Sequence, residues 1–211
     1  MEMENMTTQF RIEKDSLGEV QVPCDALYGV QTVRATQNFP ITHLRTHPAM
    51  IRSLGMIKKA CAMANHECGH LDDERTGYII AACDEIIQGK LDCWFITDVI
   101  QGGAGTSTNM NANEVVANRA AQLAGKVLGV YDYIHPNDHV NFGQSTNDVF
   151  PTAGKLTALF LVEDLLEELM LLQEALLDKS IEFNDVIKLG RTHLQDAVPI
   201  RMGQEFHAFA T

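Results

Sequence analysis

No stretch of the 211 residues stays apolar for the roughly 18 positions a helix needs to span a bilayer. Positive charge is also scarce. Sixteen Lys and Arg stand against 28 Asp and Glu, a net charge of −12, which excludes a general binder of nucleic acid or of acidic membranes. Met1-Glu-Met-Glu-Asn-Met6 is acidic and lacks the basic and apolar regions of a signal peptide, so a cytoplasmic location is expected. The five cysteines, Cys24, Cys61, Cys68, Cys83 and Cys93, are odd in number and form no CxxC pair. They read as reduced thiols rather than a disulfide framework. His66, Cys68 and His70 form a His-x-Cys-x-His run at a helix end, which reads as solvated polar residues, so no metal is expected there. A Gly-x-Ser-x-Gly elbow, a GxxxxGK[ST] loop and a strand–glycine–helix nucleotide unit are all missing, which removes the common hydrolase and nucleotide-binding classes. Internal repeats and low-complexity linkers are missing too.

What is present reads as a mainly α chain with enough length for a real core. Residues 1–46 mix β-like pieces with turns, and 10–23 alternate as a small hairpin turning near Gly18. From about His47 the period becomes helical, with Met50, Leu54, Ile57, Ala60, Cys61 and Ala64 on one stripe. A second helix opens at Asp72-Asp73, carries Tyr78, Ile79, Ala82 and Ile86 inward, and stops at Gly89. A third follows a glycine-rich junction and ends near Gly125. Val149 to about Phe183 reads as one helix of over thirty residues, with Pro151 in its first turn. Leucines cover more than one of its faces, so it belongs in a large bundle. Met202 starts a further helix whose apolar period is still running at Thr211. The expected organisation is a small mixed N-terminal domain over 1–144, then the start of a truncated long-helix bundle over 145–211.

Three polar clusters sit at helix edges. The first, Gly102-Gly103-Ala104-Gly105-Thr106-Ser107-Thr108-Asn109-Met110-Asn111, puts glycines and hydroxyls at a helix start, where unpaired N–H groups and the helix dipole suit a carboxylate. An ordinary N-cap with a flexible lead-in is the other reading. The second lies within His135–Asp148 and includes Gln144-Ser145-Thr146-Asn147-Asp148. With few apolar side chains, this stretch must be held by hydrogen bonds. The third is Lys188-Leu189-Gly190-Arg191-Thr192-His193-Leu194-Gln195-Asp196-Ala197-Val198-Pro199. Lys155 and Lys188 read as helix-surface charges, and Arg191 either raises local potential or braces a loop. Together the clusters offer neutral donors and one imidazole, His193, which suits a small dicarboxylate and the charge that develops on its oxygen.

In order and separation these clusters resemble the signature regions of the aspartase/fumarase superfamily. Ala104, Thr106-Ser107-Thr108, Thr146 and Val198 fall on the aspartase side of its patterns. The resemblance covers the chain from about Phe10 onward. It implies reversible deamination of L-aspartate to fumarate and ammonium through an enediolate, without an organic cofactor, in a homotetramer. It further implies that Thr106, Ser145 and Thr146 hold the β-carboxylate. Asn147, Thr192 and His193 would contact the amino group and α-carboxylate, with His193 orienting substrate or moving a proton. His135-Pro136-Asn137-Asp138 matches a second carboxylate site of fumarases, or is a structural turn. The family's catalytic base is a serine on a Gly-Ser-Ser loop that these residues do not contain, so the chain is expected to be an N-terminal portion that is inactive alone. Fumarate hydratase and a non-catalytic scaffold are the rival readings.

Overall fold

A computed structural model describes residues 9–211; the acidic start, Met1–Met6, lies outside the described residues. The chain is mainly helical and divides into two compact units, one ending at Ala158 and one beginning at Leu159.

In the first unit β1 (Phe10–Asp15) and β2 (Gly18–Pro23) form the expected antiparallel hairpin, with Asp15 paired to Gly18 across a two-residue turn. The next element is a difference from the sequence reading. Val30–Asn38 is a helix, α1, within a stretch that carries no helix signal of its own. Its N-cap is Gly29, which has no side chain to cap with. The caps come from far along the chain. Glu114 accepts from the N–H groups of Gly29, Gln31 and Thr32 and from the Thr32 hydroxyl, at 2.6–3.0 Å. Glu13 accepts from Val30 N–H at 2.8 Å. Two buried carboxylates thus sit on the positive end of α1. Burial pushes the Glu114 carboxyl up, while the Thr32 hydroxyl and the three N–H groups pull it down.

The core is built by α2 (Pro48–Glu67), α3 (Asp73–Ile87) and α4 (Thr106–Leu123). Asp72 caps α3 by accepting from Arg75 N–H at 2.8 Å, and Gly89 follows its end at φ 74°, as the pattern predicts. The buried stripe of α2 differs from the predicted one. It runs through Ile51, Leu54, Lys58 and Ala62, whereas Ala60 and Ala64 are exposed. A lysine at a core position was invisible to a count of apolar residues. Helix α4 is buried along most of its length and is the centre of this unit. Its asparagines pin the loops around it. Asn111 binds Ile96 N–H and the Trp94 carbonyl, and Asn118 binds the Leu27 carbonyl and Gly129 N–H.

Asp98 organises the segment leading into the glycine cluster. Its carboxylate accepts from the N–H groups of Ile41, Thr42, His43 and Ile100 and from the Thr42 hydroxyl. Burial works against the charge, but the hydroxyl and N–H donors outweigh it and hold the carboxyl well below the usual range. A depressed folded-state pKa contributes stability above the unfolded value of about 4 and loses it as pH falls through the folded value. Asp98→Asn is therefore expected to lower the melting temperature at neutral pH, with the gap to the wild type narrowing below about pH 4. Paired thermal melts across that range check this; a gap independent of pH would exclude the carboxylate as its source.

Helix α5 (Thr146–Glu182) begins in the first unit and continues into the second. It starts three residues earlier than the sequence reading places it. Pro151 therefore lies past the first turn and leaves the Asn147 carbonyl without its helical donor. The second unit also contains β3 (Ile187–Thr192), β4 (Gln195–Arg201) and α6 (Met202–Ala210). The antiparallel β3–β4 hairpin corrects the reading of Lys188 as a helix-surface charge: Lys188 is on a strand and pairs with Glu205 on α6. Its signal was hidden in the turn. His193 and Leu194 form the two-residue connection at φ 51° and 60°, where Asn-Gly is the usual choice.

Candidate active site

The first cluster is set by Gly105, the N-cap of α4, at φ 86°. A β-carbon there would lie 2.4 Å from the Phe150 ring, so glycine is needed both for the left-handed backbone and for the close approach of α5. The local side-chain cap that would make this an ordinary helix start is absent. Gln101 reaches in from the preceding loop instead, accepting Thr108 N–H at 2.8 Å and donating to Thr108 Oγ1 at 2.7 Å. Among the described residues this leaves the N–H groups of Thr106 and Ser107, and the Thr106 hydroxyl, without protein partners at the positive end of α4. Thr106 and Ser107 line a cavity of about 420 Å³, with Arg34 and Phe39 on its other wall. Arg34 is already paired with Asp15, through both carboxylate oxygens.

The second cluster opens α5. Ser145 Oγ accepts from Asn147 N–H at 3.2 Å, so this serine also caps its helix. Thr146 Oγ1 accepts from Asn109 Nδ2 at 2.9 Å. Asn109 is one turn beyond Thr106 on α4, so a single amide ties the first cluster to the second. Asn109 also donates to Asn141 Oδ1 at 3.3 Å, and Lys58 Nζ donates to Asn141 Oδ1 at 2.7 Å and Gln144 Oε1 at 2.9 Å. Sequence reasoning did not assign Lys58, Gln101 or Asn109 to the site. The core-facing register of Lys58 on α2 was the signal that could have found it.

Thr106, Ser145, Thr146 and Asn147 all lie in the first unit, where Asn109 of α4 bonds Thr146. Thr192 and His193 lie in the second, at the exposed tip of the β3–β4 hairpin, where Arg191 pairs with Asp196 at 3.3 Å. His135 serves its own turn. Its Nδ1 accepts from the N–H groups of Asn137 and Asp138 at the start of a π-helical segment, Pro136–Val140. His66 and His70 also have local contacts, His66 with the Leu71 carbonyl and Asp73, His70 with the Phe142 ring.

The lyase family model matches residues 18–211, and the chain belongs to this family, the aspartase/fumarase superfamily. An aspartate ammonia-lyase from a Bacillus species is 58% identical over 97% of the chain. A class II fumarate hydratase from Halobacterium salinarum is 53% identical over 98% of it. The chain spans 44% of the length of each of these two relatives. Among solved structures, a fumarate lyase:delta crystallin from Brucella melitensis superposes with a TM-score of 0.87 at 52% identity, covering 96% of this chain and 44% of that one.

Proposed function

We propose that these residues are the N-terminal part of a cytoplasmic aspartate ammonia-lyase, a homotetramer that interconverts L-aspartate with fumarate and ammonium without an organic cofactor. One observation carries the reading above all. The start of α4, whose Thr106 and Ser107 N–H groups have no partner among the described residues, is tied through Asn109 to Thr146, which links neutral hydroxyl and N–H donors at two helix starts. Removing the proton next to the β-carboxylate yields an enediolate with a second negative charge, and donors fixed in advance stabilise it more than they stabilise the substrate. In this reading Thr106, Ser145 and Thr146 hold that carboxylate. Asn147, Thr192 and His193 take the amino group and α-carboxylate, with His193 orienting the substrate or carrying a proton. The main base is supplied from outside these residues. Aspartase-like residues at Ala104, Thr106-Ser107-Thr108, Thr146 and Val198 favour ammonia as the leaving group.

The test is fumarate absorbance followed from L-aspartate and from L-malate in parallel with the full-length protein. Fumarate from aspartate alone is expected, and the 211-residue chain by itself is expected to turn over neither. The likeness to a fumarate hydratase supports the second reading, hydration, which fumarate from malate alone would establish. Activity on neither substrate would leave the scaffold reading.

A further inference from the structure

We propose that Lys58 is a positioning residue: its ammonium locks Asn141 and Gln144, and through them sets the placement of Ser145, Thr146 and Asn147. The inference rests on the function proposed above for that loop.

Lys58 is fully buried, on the core-facing stripe of α2, and no carboxylate pairs with it among the described residues. A lone buried cation is costly, so its presence in the core calls for a compensating role. Both of its acceptors are neutral side-chain oxygens on the segment just before α5, at 2.7 and 2.9 Å. Each acceptor is itself bound to that segment. Asn141 Nδ2 donates to the Gln144 carbonyl at 3.2 Å, and Gln144 Nε2 donates to the Val140 carbonyl at 2.9 Å. Asn141 Oδ1 also receives Asn109, whose other bond goes to Thr146. One ammonium thus anchors a continuous path from α2 to the hydroxyl at the start of α5. Burial pulls Lys58 down to about 7, with the Cys61 and Cys83 thiols acting in the opposite sense. The geometry serves whichever protonation state holds, since a neutral amine still offers two N–H donors.

The experiment uses the full-length protein with Lys58→Met, which keeps the apolar stem and removes the donors. Amide exchange in residues 144–147 is expected to accelerate at least tenfold, with exchange in the β1–β2 hairpin and in α3 unchanged. The kcat for the lyase reaction is expected to fall at least tenfold with a smaller change in KM. In the double variant with Thr146→Val the combined loss should be smaller than the product of the single losses, because both act through one loop. Lys58→Gln, which restores a buried N–H donor without the charge, is expected to recover part of both effects. It also replaces Lys58→Met in the exchange comparison with wild type if the latter does not fold. Uniformly faster exchange, unchanged exchange at 144–147 or multiplicative rate losses would overturn the assignment. The exchange arm needs no turnover, so a wild type inactive on aspartate and malate would defeat the proposed function while leaving this test decidable.

Discussion

Thr106→Val in the full-length protein is expected to cut kcat/KM for L-aspartate at least tenfold and leave the melting temperature nearly unchanged. Ser145→Ala is expected to cost as much in rate and to lower the melting temperature as well. The two substitutions separate catalysis from folding because their structural settings differ. The Thr106 hydroxyl is exposed and has no partner among the described residues, so removing it loses no protein contact. Ser145 Oγ accepts Asn147 N–H, and losing a cap of that kind costs about 1 kcal/mol. A well-placed donor to a developing oxyanion is worth about 3–4 kcal/mol of barrier, enough for losses of a hundredfold or more. Steady-state kinetics and thermal melts on both variants decide the matter. Full activity in Thr106→Val would remove the α4 start from the site, and a rate loss that merely followed stability in both would reduce the clusters to helix caps.

The second large effect concerns α5. Twelve of its large apolar side chains are exposed in this chain, among them Leu159, Leu165, Leu166, Leu169, Met170 and Leu172. Covering a half-exposed leucine contributes about 1 kcal/mol, so the set represents on the order of 10 kcal/mol per chain. That equals the whole stability of a typical domain, and a helix apolar on more than one face calls for cover on more than one side. In the homotetramer proposed above, Leu166→Glu combined with Leu169→Glu is expected to split the full-length assembly into smaller species and to abolish measurable turnover. Light scattering across a dilution series, with the assay run in parallel, checks both. An intact assembly carrying both glutamates would exclude this face as the contact between subunits.

The mainly helical class, the first hairpin, the N-cap of α3 and the length of α5 were all legible in the chain itself, because each has a local cause. Alternation, Asp72 at a helix start, Gly89 after a helix end and a long leucine-rich period act over a few neighbouring residues. The first two polar clusters were legible for the same reason, since glycines and hydroxyls at a helix start declare themselves in sequence order, whereas the third, read as a helix edge, is the β3–β4 hairpin. What only the tertiary structure decided depends on residues far apart in the chain. Helix α1 exists because Glu114, more than eighty residues away, supplies the cap its own sequence lacks. Lys58 is interior because it answers to Asn141 and Gln144, not to the apolar period of α2. The β3–β4 hairpin turns through His193 and Leu194, two residues that carry no turn signal, yet the pairing of Thr192 with Gln195 places both in left-handed conformations. Short-range chemistry wrote the elements and marked the donors, and long-range hydrogen bonds chose which of those donors meet.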